Sequence, residues 1–329
     1  MSCTPSSTDP TPTKPMAQEN TLRFDGRVAI VTGAGKGLGR AYALYLAERG
    51  AKVVLNNRRR EVDAAGLAAV DYVVREIKAR GGEAVANYAH VEYPGSGKEM
   101  VEQALDTWGR LDVLVNNAGI DRAATFGKYE LRDFLEVFEV NFHGSLYVTH
   151  AAWKVMREAR YGRVLVSASS AGMHGGAGMS AYGAAKGALI ALMRSLATEG
   201  HSRNVLVNAI APYAATPMTG DHIPDPLKAM LAPERVAPIV AWLASERNRA
   251  VTGQTFVAAG GRFLRAATVE GVGLVYDPAA SSPEALERDF EQIQALDGAR
   301  EFKDAPTAYR DFLQPLLPAD LGVSAPIEL

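Results

Sequence analysis

The sequence predicts an α/β fold: a doubly wound parallel sheet of seven strands followed by a C-terminal helical extension. Three observations predict it. Short apolar runs alternate with amphipathic stretches of helical period from residue 27 to residue 260, the pattern of parallel βαβ units with helices on both faces of the sheet. The first apolar run leads directly into a glycine-rich loop and then a helix. Beyond residue 265 the alternation stops, and six prolines (278, 283, 306, 315, 318 and 326) interrupt the chain. Together they describe a Rossmann-like architecture with an appendage.

The elements follow in order. The first strand is Val28-Ala-Ile-Val31, with a helix expected over 38–48. Ala51-Lys-Val-Val-Leu55 is the second strand, and a helix over 67–79 leads through Gly81-Gly82 to a third strand, Ala84-Val-Ala86. A helix over 98–108 precedes the fourth strand, Leu111-Asp-Val-Leu-Val115. One long helix over 131–157, a strand over 163–167, a helix over 181–199 and a strand over 205–210 continue the cycle. A helix over 236–243 and a strand over 254–257 close it. In the extension, helices are expected over 283–295 and 305–312, with Pro283 suited to a first helical turn.

Three regions result. Residues 1–15 hold eleven Ser, Thr or Pro and cannot bury enough apolar surface to offset the entropy of ordering, so 1–20 is expected to be a disordered tail, with Met16 a second candidate start. Residues 21–265 form a dinucleotide-binding catalytic domain, and 266–329 an extension packed on that domain or on a partner subunit.

Composition narrows the function classes. Hydrophobic residues make up 47% of the 329, charged residues 22%, and the net charge is −2, which excludes a general nucleic-acid surface. One cysteine, Cys3, excludes an internal disulfide framework, and the six histidines show no paired metal-ligand spacing, so no metal is expected. No apolar run has transmembrane length, the N-terminus lacks the apolar core of a signal peptide, and the C-terminal Pro-Ile-Glu-Leu matches neither a peroxisomal nor an ER address. The expectation is a cytoplasmic protein that binds a small molecule and neither membrane nor nucleic acid.

Thr32-Gly-Ala-Gly-Lys-Gly-Leu-Gly39 stands between a strand and a helix, the context in which a glycine loop cradles phosphate. Gly33 lets the chain turn, Gly37 lets backbone approach a pyrophosphate, and Gly39 lets the helix pack close to the sheet. The helix start then offers free N–H groups and a positive dipole end.

Tyr182-Gly-Ala-Ala-Lys186 lies on a helix, where i, i+4 spacing puts both side chains on one face. A phenol beside a fixed ammonium is expected to have a lowered pKa; moving it from ~10 to about 7 takes about 4 kcal/mol. Such a tyrosine can exchange a proton with a carbonyl or alcohol oxygen near neutral pH. Ser169, thirteen residues upstream at a strand end, can donate to the same oxygen, although Ser167 and Ser170 lie close enough to compete for the assignment. His174, in the Gly-rich stretch 172–178, and Tyr213 are candidates for contact with substrate.

These motifs, with Asn116-Asn-Ala-Gly119 after the fourth strand and Asn141, resemble the short-chain dehydrogenase/reductase family over about 240 residues. The resemblance implies an NAD(P)-dependent oxidoreductase interconverting a secondary alcohol and a ketone. It makes Tyr182 the acid/base, Lys186 the group that lowers its pKa and holds the nicotinamide ribose, Ser169 the residue that orients the substrate oxygen, and Asn141 the anchor of a proton relay. It places Gly33, Lys36, Gly37, Leu38, Gly39, Asn57, Arg58, Val91, Asn117, Ala118, Gly119, Pro212 and Thr216 with Tyr182 and Lys186 around the cofactor. It also implies a homodimer or homotetramer. Within the family, segments such as Gly82-Glu-Ala-Val-Ala-Asn-Tyr88 and Glu234-Arg-Val-Ala-Pro238, with the long extension, resemble the branch of (3R)-hydroxyacyl-CoA dehydrogenases found in peroxisomal multifunctional enzymes of type 2. That points to a 3-hydroxyacyl/3-oxoacyl thioester. A hydroxysteroid or other bulky ketone is the alternative substrate, and a dinucleotide sensor without turnover is the alternative class.

The sequence departs from that branch at the cofactor. Leu55-Asn-Asn-Arg58 carries Asn57 where enzymes preferring NAD(H) have an acid for the ribose 2′-hydroxyl. Arg58 can pair with a 2′-phosphate, and Lys36 adds positive charge, so NADP(H) is the expected cofactor and NAD(H) the alternative. Ala89-His90 replaces an acid near the adenine, and Pro212-Tyr213 replaces a Pro-Gly beside the nicotinamide.

Overall fold

A computed structural model describes residues 21–58, 62–219 and 223–316. The expectations for the N-terminal tail, Met16, Cys3, His222 and the chain past 316 lie outside the described residues.

The alternating pattern becomes a sheet of eight strands in the order β3-β2-β1-β4-β5-β6-β7-β8. β1 (Val28–Thr32) is buried along its whole length, as a central parallel strand must be when both faces are covered. Its Ala29 and Val31 enter one core and Val28 and Ile30 the other. Parallel pairing continues through β2 (Lys52–Asn56), β3 (Ala84–Asn87), β4 (Val113–Asn116), β5 (Gly162–Ser167), β6 (Val205–Pro212) and β7 (Thr255–Ala259). α1 (Gly37–Glu48), α2 (Ala69–Ala79) and α9 (Ala237–Ala244) cover one face, packing Tyr42, Ile77 and Val240 against the strands. α3 (Ser96–Trp108), α5 (Gly144–Ala159) and α7 (Ser180–Gly200) cover the other with Met100, Met156 and Leu189. The chain runs outward from β1 through β2 to β3, then restarts at β4 on the other side of β1. Loops leaving the carboxyl ends of β1 and β4 therefore part, and such a switch point opens the ligand crevice of a doubly wound sheet.

Three features were not expected. The eighth strand, β8 (Arg262–Ala266), runs antiparallel to β7 through a two-residue turn at Gly260-Gly261, both with positive φ (56° and 89°). The helix expected over 131–157 is two helices, α4 (Leu131–Phe138) and α5, joined by a π turn at Glu139–His143. Short helices α6 (Ser170–His174) and α8 (Asp225–Lys228) interrupt two loops. The extension carries α10 (Pro283–Ile293) and α11 (Ala305–Leu313), capped by Ser282 and Asp304, whose side chains accept from the Ala285 and Thr307 amides at 3.2 and 2.8 Å.

Candidate active site

The glycine loop is built as its spacing requires. Gly33 and Gly37 have φ of 64° and 53°, which only glycine adopts without strain. A Cβ on Gly39 would lie 2.2 Å from the Gly33 carbonyl oxygen, so the first turn of α1 can sit this close to β1 only without a side chain. A Cβ on Gly37 would come within 3.3 Å of Thr216, which brings the loop after β6 against the glycine loop. No acid stands in the first turn of α1, and its N-cap, Lys36, is exposed and uses no side-chain cap. The free N–H groups of this turn thus face a site suited to phosphate. Leu38 packs against the core beneath it.

Asn117 works mainly inside the protein. Its Nδ2 donates to the carbonyls of Thr32 and Gly33 at 3.0 and 3.3 Å, and the Thr32 hydroxyl accepts from the Asn117 and Ala118 amides at 2.9 and 3.0 Å. These bonds tie the ends of β1 and β4 together and present Ala118 and Gly119 to the crevice. Thr32 was not singled out in the sequence; its place immediately before Gly33 was the available signal.

The catalytic candidates meet at the same end of the sheet. Asn141 sits in the π turn with no solvent exposure, and its Nδ2 donates to the Ile120 and Val137 carbonyls, both at 2.8 Å. A π turn breaks the regular ladder, and here it aims an asparagine at the β4 loop. A Cβ on Gly119 would lie 2.5 Å from Asn141 Oδ1 and 3.5 Å from Lys186 Nζ, so both polar groups converge on that glycine. Among the described residues nothing donates to buried Asn141 Oδ1. Lys186 is 3% exposed; its Nζ donates to the Ser167 carbonyl at 2.7 Å and lies 5.5 Å from the centre of the Tyr182 ring. Ser169 caps α6, accepting from the Ala171 amide at 3.2 Å, and its side chain is close enough to the Tyr182 phenol to favour the ionised form. Of the three neighbouring serines, Ser167 supplies a carbonyl to Lys186 and Ser169 is the one whose side chain bears on the Tyr182 phenol.

The electrostatics correct one expectation. The Tyr182 pKa is not lowered: burial pushes it up to about 12, and the nearby Asp121 charge pushes the same way, against the Ser169 hydrogen bond. Burial also brings Lys186 down to about 8. Burial dominates because removing the phenolate from water is costly, and the Lys186 charge is itself desolvated.

On the adenosine side, Gly33, Asn57, Arg58, Val91, Ala118 and Gly119 share one small cavity with Glu92. Arg58 reaches Glu92 at 3.5 Å, and His90 Nδ1 lies 3.2 Å from the same carboxylate oxygen. Glu92 was missed because an acid three residues past Ala89 reads as a solvated loop charge. Pro212 ends β6 opposite Ala258, and Tyr213 beyond it is exposed. Thr216 is held by Thr219, whose hydroxyl accepts from the Thr216 amide at 3.1 Å. No described hydrogen bond joins His174 to Ser169 or Tyr182. It is exposed and lines a separate cleft of about 960 Å³ between α7 and Phe302–Ala308 of the extension.

A crevice at the switch point, a glycine cradle under a helix start and a Ser-Tyr-Lys-Asn cluster beside it define a dinucleotide-dependent oxidoreductase acting on CH–OH groups. Comparison with known proteins agrees. The short chain dehydrogenase family model matches residues 27–226, and the chain belongs to that family. It is 46% identical over 241 residues to mouse peroxisomal multifunctional enzyme type 2, covering 73% of this chain and 32% of that protein. It is 40% identical over 246 residues to a 3-oxoacyl-[acyl-carrier-protein] reductase of Synechocystis, covering 72% of this chain and 97% of that one. The structure of full-length peroxisomal multifunctional enzyme type 2 from Drosophila melanogaster superposes with a TM-score of 0.76 at 36% identity, covering 90% of this chain and 50% of that one. The chain thus spans about a third of the length of the mouse multifunctional enzyme it matches. The residues present fit the NAD(P)(H) that the family implies, since the positive φ of Gly33 and Gly37 shapes the loop and the start of α1 has no acid in its first turn, leaving free N–H groups for phosphate.

Proposed function

We propose that this chain interconverts a 3-hydroxyacyl and a 3-oxoacyl thioester with NADP(H). The observation that carries the chemistry is Tyr182 with the buried Lys186 ammonium 5.5 Å from its ring centre and Ser169 beside its phenol. In reduction, Ser169 fixes the substrate oxygen and the Tyr182 hydroxyl gives it a proton as hydride reaches the carbonyl carbon. In oxidation the phenolate takes that proton back. A bound dinucleotide supplies or accepts the hydride, and its oxidised ring adds a positive charge that favours the phenolate. With a pKa near 12 in the free protein, Tyr182 keeps its proton at neutral pH and is ready for reduction. Lys186 holds the ribose side, and Asn141, with its unpartnered oxygen, anchors proton exchange with solvent. The named relatives, one a 3-oxoacyl reductase, support the thioester.

The NADP(H) reading rests on Arg58 and Asn57 in the adenosine cavity and on Lys36, exposed at the start of α1. Glu92 offsets part of the Arg58 charge, so the preference is set by a balance within that cavity. The test is kcat/KM for NADPH and NADH with 3-oxobutanoyl thioester. NADPH is expected to be preferred, and Asn57→Asp to cost at least about tenfold of that preference by setting a carboxylate against the 2′-phosphate. A tenfold preference for NADH in the wild type overturns it. The same reading includes a homodimer or homotetramer and an extension, 266–329, that packs on the domain or a partner. Exposed Phe290, Leu296 and Phe312 on that extension support it, and the mass in solution tests it.

A further inference from the structure

Among the described residues, Arg58 and Glu92 are the charged pair lining the adenosine cavity, and the two are held very differently. Glu92 is fixed through its backbone. Asn56, 1% exposed, donates from Nδ2 to Asn87 Oδ1 and to the Ala89 carbonyl, both at 2.8 Å, and the Ala89 amide donates to the same Oδ1 at 3.0 Å. These bonds lock the chain leaving β3 to the end of β2. The Tyr93 amide then donates to the His90 carbonyl at 3.1 Å, which closes a turn with Glu92 inside it, and the His90 and Tyr93 rings stack with centroids 5.3 Å apart. From that turn Glu92 puts Oε1 3.2 Å from His90 Nδ1.

Arg58 is held loosely. Among the described residues its guanidinium has one partner, Glu92 Oε1, through a single contact of 3.5 Å. A guanidinium grips an oxyanion best through two parallel N–H bonds of about 2.8 Å. One long contact leaves most of the Arg58 donors for another anion.

We propose that Glu92 sets how strongly this chain selects NADP(H) over NAD(H): it holds the Arg58 guanidinium in a pair that a ribose 2′-phosphate must displace and that a 2′-hydroxyl leaves in place. This rests on the reading above that Arg58 is the partner of that phosphate. The locked turn keeps the carboxylate where it is when the pair opens, so NADP(H) alone bears the cost of separating the two charges. With NAD(H) bound, the same carboxylate keeps the guanidinium paired, and the cavity carries no uncompensated cation. Selection is thus an exchange of anions on one guanidinium.

The test measures Kd for NADP+ and NAD+ by calorimetry on the full chain without substrate, for the wild type, Glu92→Gln, Arg58→Leu and the double variant. Glu92→Gln keeps the size of the side chain and removes its charge. It is expected to tighten NADP+ binding at least about fivefold and to leave NAD+ within about twofold. Glu92→Ala, a second variant, should shift the ratio in the same direction. In the Arg58→Leu background, Glu92→Gln should change the ratio less than about twofold, because no guanidinium is left to hold. An unchanged or lowered NADP+ preference in Glu92→Gln would overturn the proposal. So would a shift as large without Arg58 as with it, which would mean that the carboxylate repels the phosphate directly. If Arg58→Leu weakens both dinucleotides equally, the reading of Arg58 fails and takes this one with it. If Arg58→Leu weakens NADP+ selectively and Glu92→Gln changes nothing, only the role of Glu92 fails.

Discussion

Replacing Lys186 by methionine should abolish turnover and yet stabilise the free protein at neutral pH. The ammonium is buried, and its pKa falls from 10.5 to about 8 because burial penalises the charged form. A shift of that size corresponds to about 3 kcal/mol. Below pH 8 the folded and unfolded states both carry the proton, and the folded state bears the whole penalty. Between about pH 8 and 10.5 the folded state releases the proton while the unfolded state keeps it, so stability rises with pH. Above 10.5 both are neutral and the penalty is gone. Methionine keeps the apolar stem and removes the charge, but it leaves the Ser167 carbonyl without the donor it has at 2.7 Å, at a cost of about 1 kcal/mol. The net expectation is that Lys186→Met is about 2 kcal/mol more stable at pH 7 and has lost that advantage by pH 10.5. Urea unfolding of both proteins at several pH values measures it, with the other titrating groups cancelling in the difference. A variant less stable than wild type at pH 7, by an amount that does not change with pH, would refute the reasoning.

Three further outcomes follow from the same geometry. Gly39→Ala puts a methyl 2.2 Å from the Gly33 carbonyl oxygen and 2.6 Å from Asn117 Nδ2, so α1 must move off the sheet. It is expected to cost about 1–3 kcal/mol by thermal unfolding and to weaken dinucleotide binding more than tenfold, and an unchanged Tm and Kd would contradict this. Asp121→Asn removes a negative charge that raises the Tyr182 pKa. The rise of alcohol oxidation with pH, and the fall of ketone reduction, should both move to lower pH; movement to higher pH would count against the assignment. Arg58→Leu should weaken NADPH binding more than NADH binding, read from the two Kd values, because it removes the cation from the adenosine cavity.

Much of this was legible in the sequence because the elements are strongly patterned. Val28–Thr32 has no polar residue before its final threonine, and a strand so apolar has to lie at the centre of a covered sheet. The motif spacing alone locates the glycine loop and the Tyr182–Lys186 face. What escaped has physical reasons. The apolar spacing runs unbroken through Glu139–His143, so nothing in the period reports the one extra residue that makes a π turn and aims Asn141. β8 lies past the alternating pattern that ends near residue 260, and the paired glycines Gly260-Gly261 are its one signal, that of a two-residue hairpin. The direction of the Tyr182 shift was misread because spacing reports neighbours and not desolvation. Glu92 and Asp121 look like ordinary loop acids until the fold closes around them.

The central claim is that the Tyr182 hydroxyl is the proton donor and acceptor of the reaction. Its most direct test is Tyr182→Phe, measured for dinucleotide affinity and for single-turnover reduction of a 3-oxoacyl thioester. The account predicts near-unchanged binding and a rate lower by orders of magnitude across the pH range. A rate within a few-fold of wild type would contradict it.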